Sequence, residues 1–272
     1  MNNIFRRYGE LCKNHPDEEM IEALRYIKQN GPILIPYSLG DNPPVEILQD
    51  ESCNLKYVIH EGKRLYFNAA KSDHAITLLV SDLINEQNIN SPHCYHSENF
   101  DAEEGDILFD IGAAEGIYAL SVINKVNKVV LFECESEWFE PLKKTFEPWN
   151  DKVVIVKKYV SDSDSDTTIT IDSFLEQHSE YVDKSLLFKV DVEGAEESVL
   201  KGMKNTLANR NVKAAICVYH KRNDYATLSQ MMLNHGYNVE TSKRYMLLHD
   251  DWNDEYSPYY LTRGVIYCRK NV

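Results

Sequence analysis

The sequence has no hydrophobic run that approaches the roughly 20 residues needed to cross a membrane as a helix. Its first 20 residues, MNNIFRRYGELCKNHPDEEM, also lack the apolar core of a secretory signal peptide. The six cysteines form no C-x-x-C pair, which argues against a cysteine-based zinc site and fits free thiols in a reducing compartment. We therefore expect a cytoplasmic protein without a membrane partner.

Basic residues are scarce relative to acidic ones. Lys and Arg number 29 against 43 Asp and Glu, which gives a formal net charge of −14. Nonspecific binding to nucleic acid relies on Lys and Arg that neutralise phosphates, so this balance argues against a nucleic-acid partner. The 272 residues are 43% hydrophobic, as in a soluble protein with one large domain or one domain and a small companion.

The first 100 residues form a mixed region without an internal repeat. Residues 17–29 (DEEMIEALRYIKQ) carry apolar residues at helical spacing after an acidic first turn, which predicts a helix. Residues 54–68 predict a hairpin around E-G-K, and residues 72–87 predict a second helix. We expect residues 1–100 to form a small α+β unit that caps the site or helps to bind the substrate.

Residues 101–272 alternate between strand and helix patterns. Continuous Val, Ile and Leu strands followed by helices are typical of a parallel sheet covered on both faces, so we expect an α/β fold with a doubly wound, mostly parallel sheet. RGVIYCRK near the C-terminus follows no helix and would add an antiparallel strand. The strand patterns are DILFDI, KVVLFEC, KVVIVKKYV, SLLFKVDV and KAAICVY; the helical patterns are GIYALSVINK, SEWFEPLKKTF, AEESVLKGMKNTL and DYATLSQMMLNHG.

The turn after the first of these strands is where such a sheet binds ligands. It contains Asp110, Gly112, Ala113, Ala114 and Glu115, and it lacks the G-x-G-x-x-G of a dinucleotide site. Its two acids oppose a pyrophosphate and suit a cation such as S-adenosylmethionine. We expect the glycine to let the backbone pass close to the cofactor, the two alanines to lie beside it, and the next glycine to begin a helix.

Two further segments are expected to complete this cofactor site. Glu133 ends the second strand 23 positions after Asp110, close to the spacing of an acid that accepts hydrogen bonds from ribose hydroxyls. Glu135 is the reserve candidate. Ser161 and Asp162 follow the third strand and are expected near the adenine. For each acid alone, a solvated loop carboxylate is the competing interpretation.

A charged segment lies at the end of the fourth strand, in LFKVDVEGAEESVLKG (187–202). It resembles the K-[IV]-D-[VI]-E-G-x-E motif of the FkbM-type family of S-adenosylmethionine-dependent methyltransferases. LFDIGAAEGIYAL resembles that family's cofactor loop, LFECE its F-E-P segment with Cys134 in place of proline, and TITIDSF its T-L-D-x-F segment. The resemblance covers about residues 104–220.

The resemblance implies a Rossmann-like fold of the class I methyltransferase type and methyl transfer, typically to oxygen. It implies that S-adenosylmethionine contacts Asp110, Gly112, Glu115 and Glu133. It also implies that the second motif faces the methyl donor and the acceptor, with Glu193 and Glu196 on the substrate side. The second-motif residues are Lys189, Asp191, Glu193 and Glu196.

Methyl transfer from a sulfonium is an in-line displacement that depends on positioning, and a hydroxyl acceptor also gains from a general base. Asp191 is a candidate to take that proton or to bind the cofactor's ammonium group. His220, after the strand KAAICVY, is the second candidate base, although a lone histidine there is often structural. Lys189 would lower the acceptor's pKa or hold Asp191, and a purely structural Lys–Asp pair is the competing interpretation.

Other candidate features are interpreted as structural. His93 and His96 are spaced as a metal pair or a lid element, but we expect their rings to pack against the domain, and we predict no metal site. The acids of SDSDSD (161–166) lack the glycine and distal glutamate of a calcium loop. Aromatic and basic residues near the C-terminus either line an acceptor pocket or pack in the core; they are Arg244, Tyr245, Tyr259, Tyr260 and Arg263.

We therefore expect an S-adenosylmethionine-dependent O-methyltransferase acting on a small molecule or a sugar, in glycan or secondary-metabolite synthesis. One alternative is a methyltransferase for RNA or protein, although the acidic charge counts against RNA. Another is a nicotinamide-dependent oxidoreductase on the same sheet, which the missing glycines disfavour. The third is a binding or scaffold protein that has kept the fold, which the acids at strand ends disfavour.

Overall fold

A computed structural model gives the fold of the chain. It describes residues 4, 5, 8, 17–40, 42, 44–181, 183–249 and 258–270.

The N-terminal region contains the helices and the hairpin that the sequence predicts. Helix α1 spans Glu18–Asn30, and Asp17 caps it by accepting a hydrogen bond of 3.0 Å from the Met20 backbone N–H. An antiparallel three-stranded sheet and a second helix follow. They are β1 (Leu48–Asp50), β2 (Leu55–His60), β3 (Lys63–Phe67) and α2 (Asp73–Glu86).

The rest of the described chain alternates strands and short helices. In chain order they are β4 (Ile107–Ile111), α3 (Ile117–Val122), β5 (Lys128–Phe132), α4 (Ser136–Thr145), β6 (Val153–Val156), β7 (Tyr159–Val160), β8 (Thr168–Ile169), α5 (Ile171–Gln177), β9 (Leu186–Val190), α6 (Glu196–Lys201), α7 (Lys204–Asn209), β10 (Val212–Cys217), α8 (Asp224–Asn234), β11 (Tyr237–Thr241), β12 (Met246–His249), β13 (Tyr259–Thr262) and β14 (Val265–Lys270). Turns of 3₁₀ helix span Glu147–Trp149 and Ser179–Tyr181.

Seven strands form the central sheet, in the order β11-β14-β10-β9-β4-β5-β6. The five strands from β10 to β6 are parallel, and β14 runs antiparallel between β10 and β11. This arrangement confirms the predicted Rossmann-like, doubly wound sheet with its antiparallel C-terminal strand. Along the chain, the central sheet begins with β4, extends on one side through β5 and β6, and continues on the other side with β9. The strand order therefore reverses between the carboxyl ends of β4 and β9.

Two predicted elements are interrupted in the structure, and one strand of the central sheet, β11, was not predicted; nor were the short strands β1, β8, β12 and β13 outside that sheet. KVVIVKKYV divides into β6 and β7, and AEESVLKGMKNTL divides into α6 and α7 around Gly202. A side chain at Gly202 would overlap the backbone carbonyl of Ser161, so the two backbone segments pack directly against each other here. Strand β11 was not predicted because its buried and exposed residues alternate and form no continuous apolar run.

Hydrophobic clusters cover both faces of the sheet, and one of them extends into the N-terminal region. Phe67 and Ile76 pack in the same buried cluster as Leu108 and Leu120. The division of the chain at residue 100 remains a prediction, and the packing shows that the N-terminal elements lie against one face of the sheet. Among the described helices, none combines the length and apolar character that crossing a bilayer requires.

Candidate active site

The turn after β4 is fixed against the end of β5. The backbone N–H groups of Gly112 and Ala113 both donate to the carbonyl oxygen of Phe132, at 3.0 and 3.1 Å. Gly112 has a φ of +78°, and a Cβ there would overlap the backbone carbonyl oxygen of Asp191. Glycine is therefore required at position 112 because the backbone there passes close to the end of β9. Gly116 begins α3, as predicted.

Glu133 is the most completely fixed carboxylate of the site. Its side chain is buried at the end of β5, where Oε2 accepts a hydrogen bond of 2.7 Å from the Ala114 N–H. Its Oε1 accepts from the N–H groups of Cys134 at 2.7 Å and Glu135 at 2.8 Å. Because proline has no N–H, Cys134 supplies a contact that the more usual proline of this motif lacks. The three backbone donors hold the carboxylate in one orientation.

A cavity of about 370 Å³ opens at the carboxyl ends of β4, β5 and β9. Acidic residues dominate its charged lining, and Lys158 is the one basic residue among the lining residues that the structure describes. A lining of this charge opposes a pyrophosphate and suits a ligand that carries positive charge. The acidic lining residues are Glu133, Glu135, Asp191 and Glu193; the remaining wall includes Gly112, Ala114, Phe132, Trp138, Tyr159 and Val160.

The other residues that the sequence assigned to the cofactor lie outside this lining. Ser161 and Asp162 follow the cavity wall formed by Tyr159 and Val160, and Asp162 is exposed. Ala113 and Glu115 are buried behind the turn. Burial raises the pKa of Glu115 to about 7, although backbone N–H groups and the charge of Lys189 act in the opposite direction.

Asp110 faces a lysine and does not line the cavity. Its carboxylate is almost fully buried, and Oδ1 lies 3.1 Å from Nζ of Lys189 on the neighbouring strand β9. Lys189 also donates a short hydrogen bond to the carbonyl oxygen of Gly112. Burial lowers the pKa of Lys189, but the carboxylates of Asp110 and Asp191 outweigh it and hold this pKa above its ordinary value. The Asp110 charge is thus compensated within the protein.

Asp191 lies between the cavity and a group of buried polar side chains. Its Oδ2 accepts a hydrogen bond of 2.6 Å from the Tyr95 hydroxyl, and its Oδ1 lies 3.4 Å from Nε2 of His220. Burial raises the pKa of Asp191, but Lys189, His93 and His220 together more than offset this, so the pKa lies below its ordinary value. Asp191 is therefore an ionised carboxylate at the boundary of the acidic cavity.

His220 is surrounded by carboxylates, and its side chain is only 8% exposed. Its Nδ1 lies 2.8 Å from Oε1 of Glu196, and its Nε2 lies 3.5 Å from Oε2 of Glu193 as well as close to Asp191. Burial lowers the pKa of His220, but the surrounding carboxylates outweigh it and raise the pKa above its ordinary value. The structure thus brings together four of the predicted residues, Asp191, Glu193, Glu196 and His220.

A segment before the methyltransferase-like region contributes residues that the sequence did not assign to the site. His93 is buried, with Nε2 3.0 Å from the Tyr219 hydroxyl and 3.8 Å from Oδ2 of Asp191. Its ring packs against those of Tyr95 and Tyr219, as the packing interpretation expected. Burial lowers the pKa of His93 to about 4. His96 instead lies beside Cys94, with Nδ1 3.2 Å from Sγ.

The aromatic and basic residues near the C-terminus mainly hold helix α1. The Tyr245 hydroxyl donates a hydrogen bond of 2.6 Å to Asp17, and Arg263 donates to Glu19 at 2.5 Å. Arg244 likewise donates to a carboxylate of α1. Tyr245, Tyr260 and Arg263 also line a second cavity of about 430 Å³.

Comparison with known proteins supports the methyltransferase assignment. The model of the family described as the methyltransferase FkbM domain matches residues 157–239. This stretch contains β9, the whole Lys189–Glu196 motif and His220. A search of the curated proteins found no match.

Several solved structures are similar to this chain. Methyltransferase FkbM from Methylobacillus flagellatus is 19% identical, with 62% of this chain and 44% of that chain covered and a TM-score of 0.45. Precorrin-6y C5,15-methyltransferase from Geobacter metallireducens is 14% identical, with 62% and 81% covered and a TM-score of 0.40. An S-adenosylmethionine-dependent O-methyltransferase from Thermotoga maritima is 14% identical, with 63% and 62% covered and a TM-score of 0.39.

This chain therefore spans less than half of the length of the Methylobacillus protein. The family match confirms the resemblance seen in the motifs. Residues 157–239 are thus similar to the methyltransferase FkbM domain, an enzyme class whose methyl donor is S-adenosylmethionine.

Proposed function

We propose that this protein transfers a methyl group from S-adenosylmethionine to a hydroxyl oxygen of a small molecule or a sugar. One observation carries the proposal: Asp191 lines the acidic cavity and also lies 3.4 Å from His220, which is outside its lining. A cofactor in that cavity and an acceptor beside His220 would thus meet at the same carboxylate.

The cavity residues suit each part of the proposed cofactor. Glu133 is held by three backbone donors and keeps free acceptor sites for ribose hydroxyls. The ring of Tyr159 and the side chain of Val160 offer an apolar wall for an adenine. Asp191 and Glu193 supply negative charge for an ammonium or a sulfonium. When bound, this cofactor supplies an activated methyl group on a positively charged sulfur.

The residues around Asp191 support general-base assistance to a hydroxyl. Tyr95 and Lys189 hold the carboxylate ionised and oriented, so it is ready to accept a proton or a hydrogen bond from an acceptor hydroxyl. His220 extends this polar surface, and Glu196 holds its ring from the other side. Glu193 is largely exposed, which suits a contact with the acceptor.

The acceptor class rests on charge and on the resemblance. With a net charge of −14 and an acidic cavity, the protein is better suited to a neutral or cationic small acceptor than to nucleic acid. The resemblance points to hydroxyl acceptors in glycan or secondary-metabolite synthesis. We propose that the protein acts without a nucleic-acid or membrane partner, in the cytoplasm.

The cofactor is tested by calorimetric titration of the purified chain with S-adenosylhomocysteine, alongside NAD. We expect the wild type to bind S-adenosylhomocysteine and not NAD. Glu133→Gln should weaken binding at least tenfold, because the carboxamide nitrogen cannot accept hydrogen bonds. Glu140→Gln, which changes an exposed glutamate on α4, is the matched control and should bind like the wild type. A folded wild type that binds NAD instead, or neither ligand, would refute the proposal.

The reaction is tested with radiolabelled S-adenosylmethionine and a panel of phenols, hydroxylated small molecules and sugars. We expect label to appear in a methyl ether and to be lost in Asp191→Asn. Transfer only to amines, or to RNA, would contradict the hydroxyl acceptor while leaving the cofactor assignment intact.

A further inference from the structure

The nitrogen Nε2 of His220 faces two carboxylates without a hydrogen bond. It lies 3.4 Å from Oδ1 of Asp191 and 3.5 Å from Oε2 of Glu193, and the imidazole is more than nine-tenths buried. Neither this nitrogen nor Oδ1 of Asp191 has a hydrogen-bond partner among the described residues. Two buried polar atoms that face each other without a partner require an explanation, and a bound ion or water that completes the site is one.

Ligand atoms of Asp191, Glu196 and His220 lie close enough together to hold a metal ion, and the two distances from His220 Nε2, to Asp191 and to Glu193, fit a divalent cation. Metal–ligand bonds of about 2.1 Å place neighbouring ligand atoms about 3.0 to 3.5 Å apart in octahedral or tetrahedral geometry. The measured separations from His220 Nε2 lie at the upper end of this range. Glu193 is 90% exposed, so its side chain is free to adjust by rotation.

Glu196 supplies the contact that a metal-binding histidine usually has. Metal-ligating imidazoles commonly donate the N–H of the other ring nitrogen to a carboxylate, which fixes the ring and leaves a lone pair for the metal. Here Nδ1 of His220 lies 2.8 Å from Oε1 of Glu196, a close contact without hydrogen-bond geometry, and that oxygen accepts hydrogen bonds from the N–H groups of Val192 and Gly194. The ring is thereby aimed with Nε2 toward Asp191 and Glu193.

We propose that Asp191, Glu193 and His220 form a divalent-cation site, with Glu196 as the residue that orients the histidine. This departs from the absence of a metal that we expected from the sequence. The ligand set of two carboxylates and one imidazole suits Mn²⁺, Mg²⁺ or Zn²⁺ and leaves coordination positions open. The inference deepens the proposed function and rests on it, since an acceptor hydroxyl bound at an open position would lose its proton more easily.

A second group of potential ligands shares Asp191 but fits a cation less well. It consists of His93, Asp191 and Cys217. Nε2 of His93 already lies 3.0 Å from the Tyr219 hydroxyl, and the Cys217 thiol is completely buried in the strand β10. The His220 group is also the one that borders the cofactor cavity through Asp191 and Glu193.

The test is a titration of the metal-stripped full chain with Mn²⁺, followed by electron paramagnetic resonance of the free ion. We expect one Mn²⁺ per chain in the wild type. His220→Gln and Glu193→Gln should each weaken its binding at least tenfold, and Glu196→Gln should weaken it about 10- to 100-fold. Glu193→Gln changes an exposed side chain, so it tests the site even where His220→Gln perturbs folding. Glu197→Gln changes a half-buried neighbour that pairs with Lys201; it is the matched control and should bind like the wild type.

A titration with S-adenosylhomocysteine on the same metal-free samples separates the two proposals. Intact S-adenosylhomocysteine binding with no stoichiometric Mn²⁺ or Zn²⁺ binding would overturn the cation site and leave the methyltransferase proposal standing. Mn²⁺ binding that is equally tight in His220→Gln and Glu193→Gln would also overturn it. Loss of S-adenosylhomocysteine binding in the wild type, in contrast, would count against the proposed function itself.

Discussion

The hydroxyl of Tyr95 donates a hydrogen bond of 2.6 Å to Oδ2 of Asp191, across 96 positions of sequence. Tyr95 precedes the first strand of the central sheet, and Asp191 follows its fourth strand along the chain. The N-terminal region therefore takes part in orienting the carboxylate that borders the cofactor cavity. Tyr95 is buried and the Asp191 side chain is 17% exposed, so the hydrogen bond is largely shielded from competition with solvent.

Tyr95→Phe should destabilise the protein by about 1–3 kcal/mol, because it leaves a buried carboxylate oxygen without its donor. The matched control is Tyr118→Phe. Tyr118 is equally buried and its ring packs against Tyr95, but its hydroxyl has no hydrogen-bond partner among the described residues. That change should be neutral or stabilising. Urea unfolding of both variants measures the difference, and equal losses would show that the Tyr95 hydrogen bond contributes nothing specific.

Gly112→Ala should lower the free energy of unfolding by more than about 4 kcal/mol or prevent folding. Losses of this size are typical of sites with backbone strain or steric overlap. The φ of Gly112 is +78°, and the added methyl group would overlap the carbonyl oxygen of Asp191. Gly62 in the β2–β3 hairpin has nearly the same φ, +76°, but a methyl group there would meet open space. Gly62→Ala should therefore cost only about 1–2 kcal/mol of backbone strain. Denaturant titration compares the two, and similar costs would contradict the close approach.

The buried pair of Asp110 and Lys189 should show strong energetic coupling. Lys189→Met leaves the Asp110 carboxylate buried beside Asp191 without its cation, and removal of one partner of such a pair typically costs about 3–5 kcal/mol. In the double variant Asp110→Asn/Lys189→Met much of that loss should be recovered, since less uncompensated charge remains. Unfolding free energies of the two single variants and the double variant form the cycle. Strictly additive losses would show that the two side chains do not depend on each other.

Much of the fold followed from the sequence because burial imposes a simple pattern. Strands β4, β5, β9 and β10 consist almost entirely of buried residues, so each appears as a continuous apolar run. The strand-end rule then placed Glu133 and Asp191 at one edge of the sheet, where the structure finds both in the cavity lining. Strand β11 lies at the sheet edge, and its alternating pattern gave no such signal.

The direction of side chains and the long-range contacts did not follow from the sequence. Asp110 was expected to face the ligand, but the parallel register of β4 and β9 places it directly opposite Lys189. Register between distant strands is a property of the folded sheet and has no local signature. Likewise, His93 and Tyr95 reach Asp191 only because the segment that carries them packs over the carboxyl ends of the strands. The only signal was a cluster of aromatic and histidine residues, which is equally typical of packing.

Glu115 should make stability depend on pH between about 4.5 and 7. Burial raises its pKa to about 7 in the folded protein, so the folded state keeps a proton that the unfolded state has lost in this range. A group of this kind makes the folded state progressively less stable as the pH rises from its unfolded pKa to its folded pKa. Glu115→Gln keeps a hydrogen-bond acceptor but does not ionise, so it avoids this penalty.

The stability of Glu115→Gln relative to the wild type should therefore rise by about 2.5 kcal/mol between pH 5 and pH 8. Urea unfolding of both proteins at each pH measures this difference. Glu140→Gln changes an exposed glutamate, and its stability relative to the wild type should stay nearly constant over the same range. A constant difference for Glu115→Gln as well would mean that Glu115 ionises normally, with its carboxylate stabilised by the N-terminal backbone of α3 enough to cancel the effect of burial.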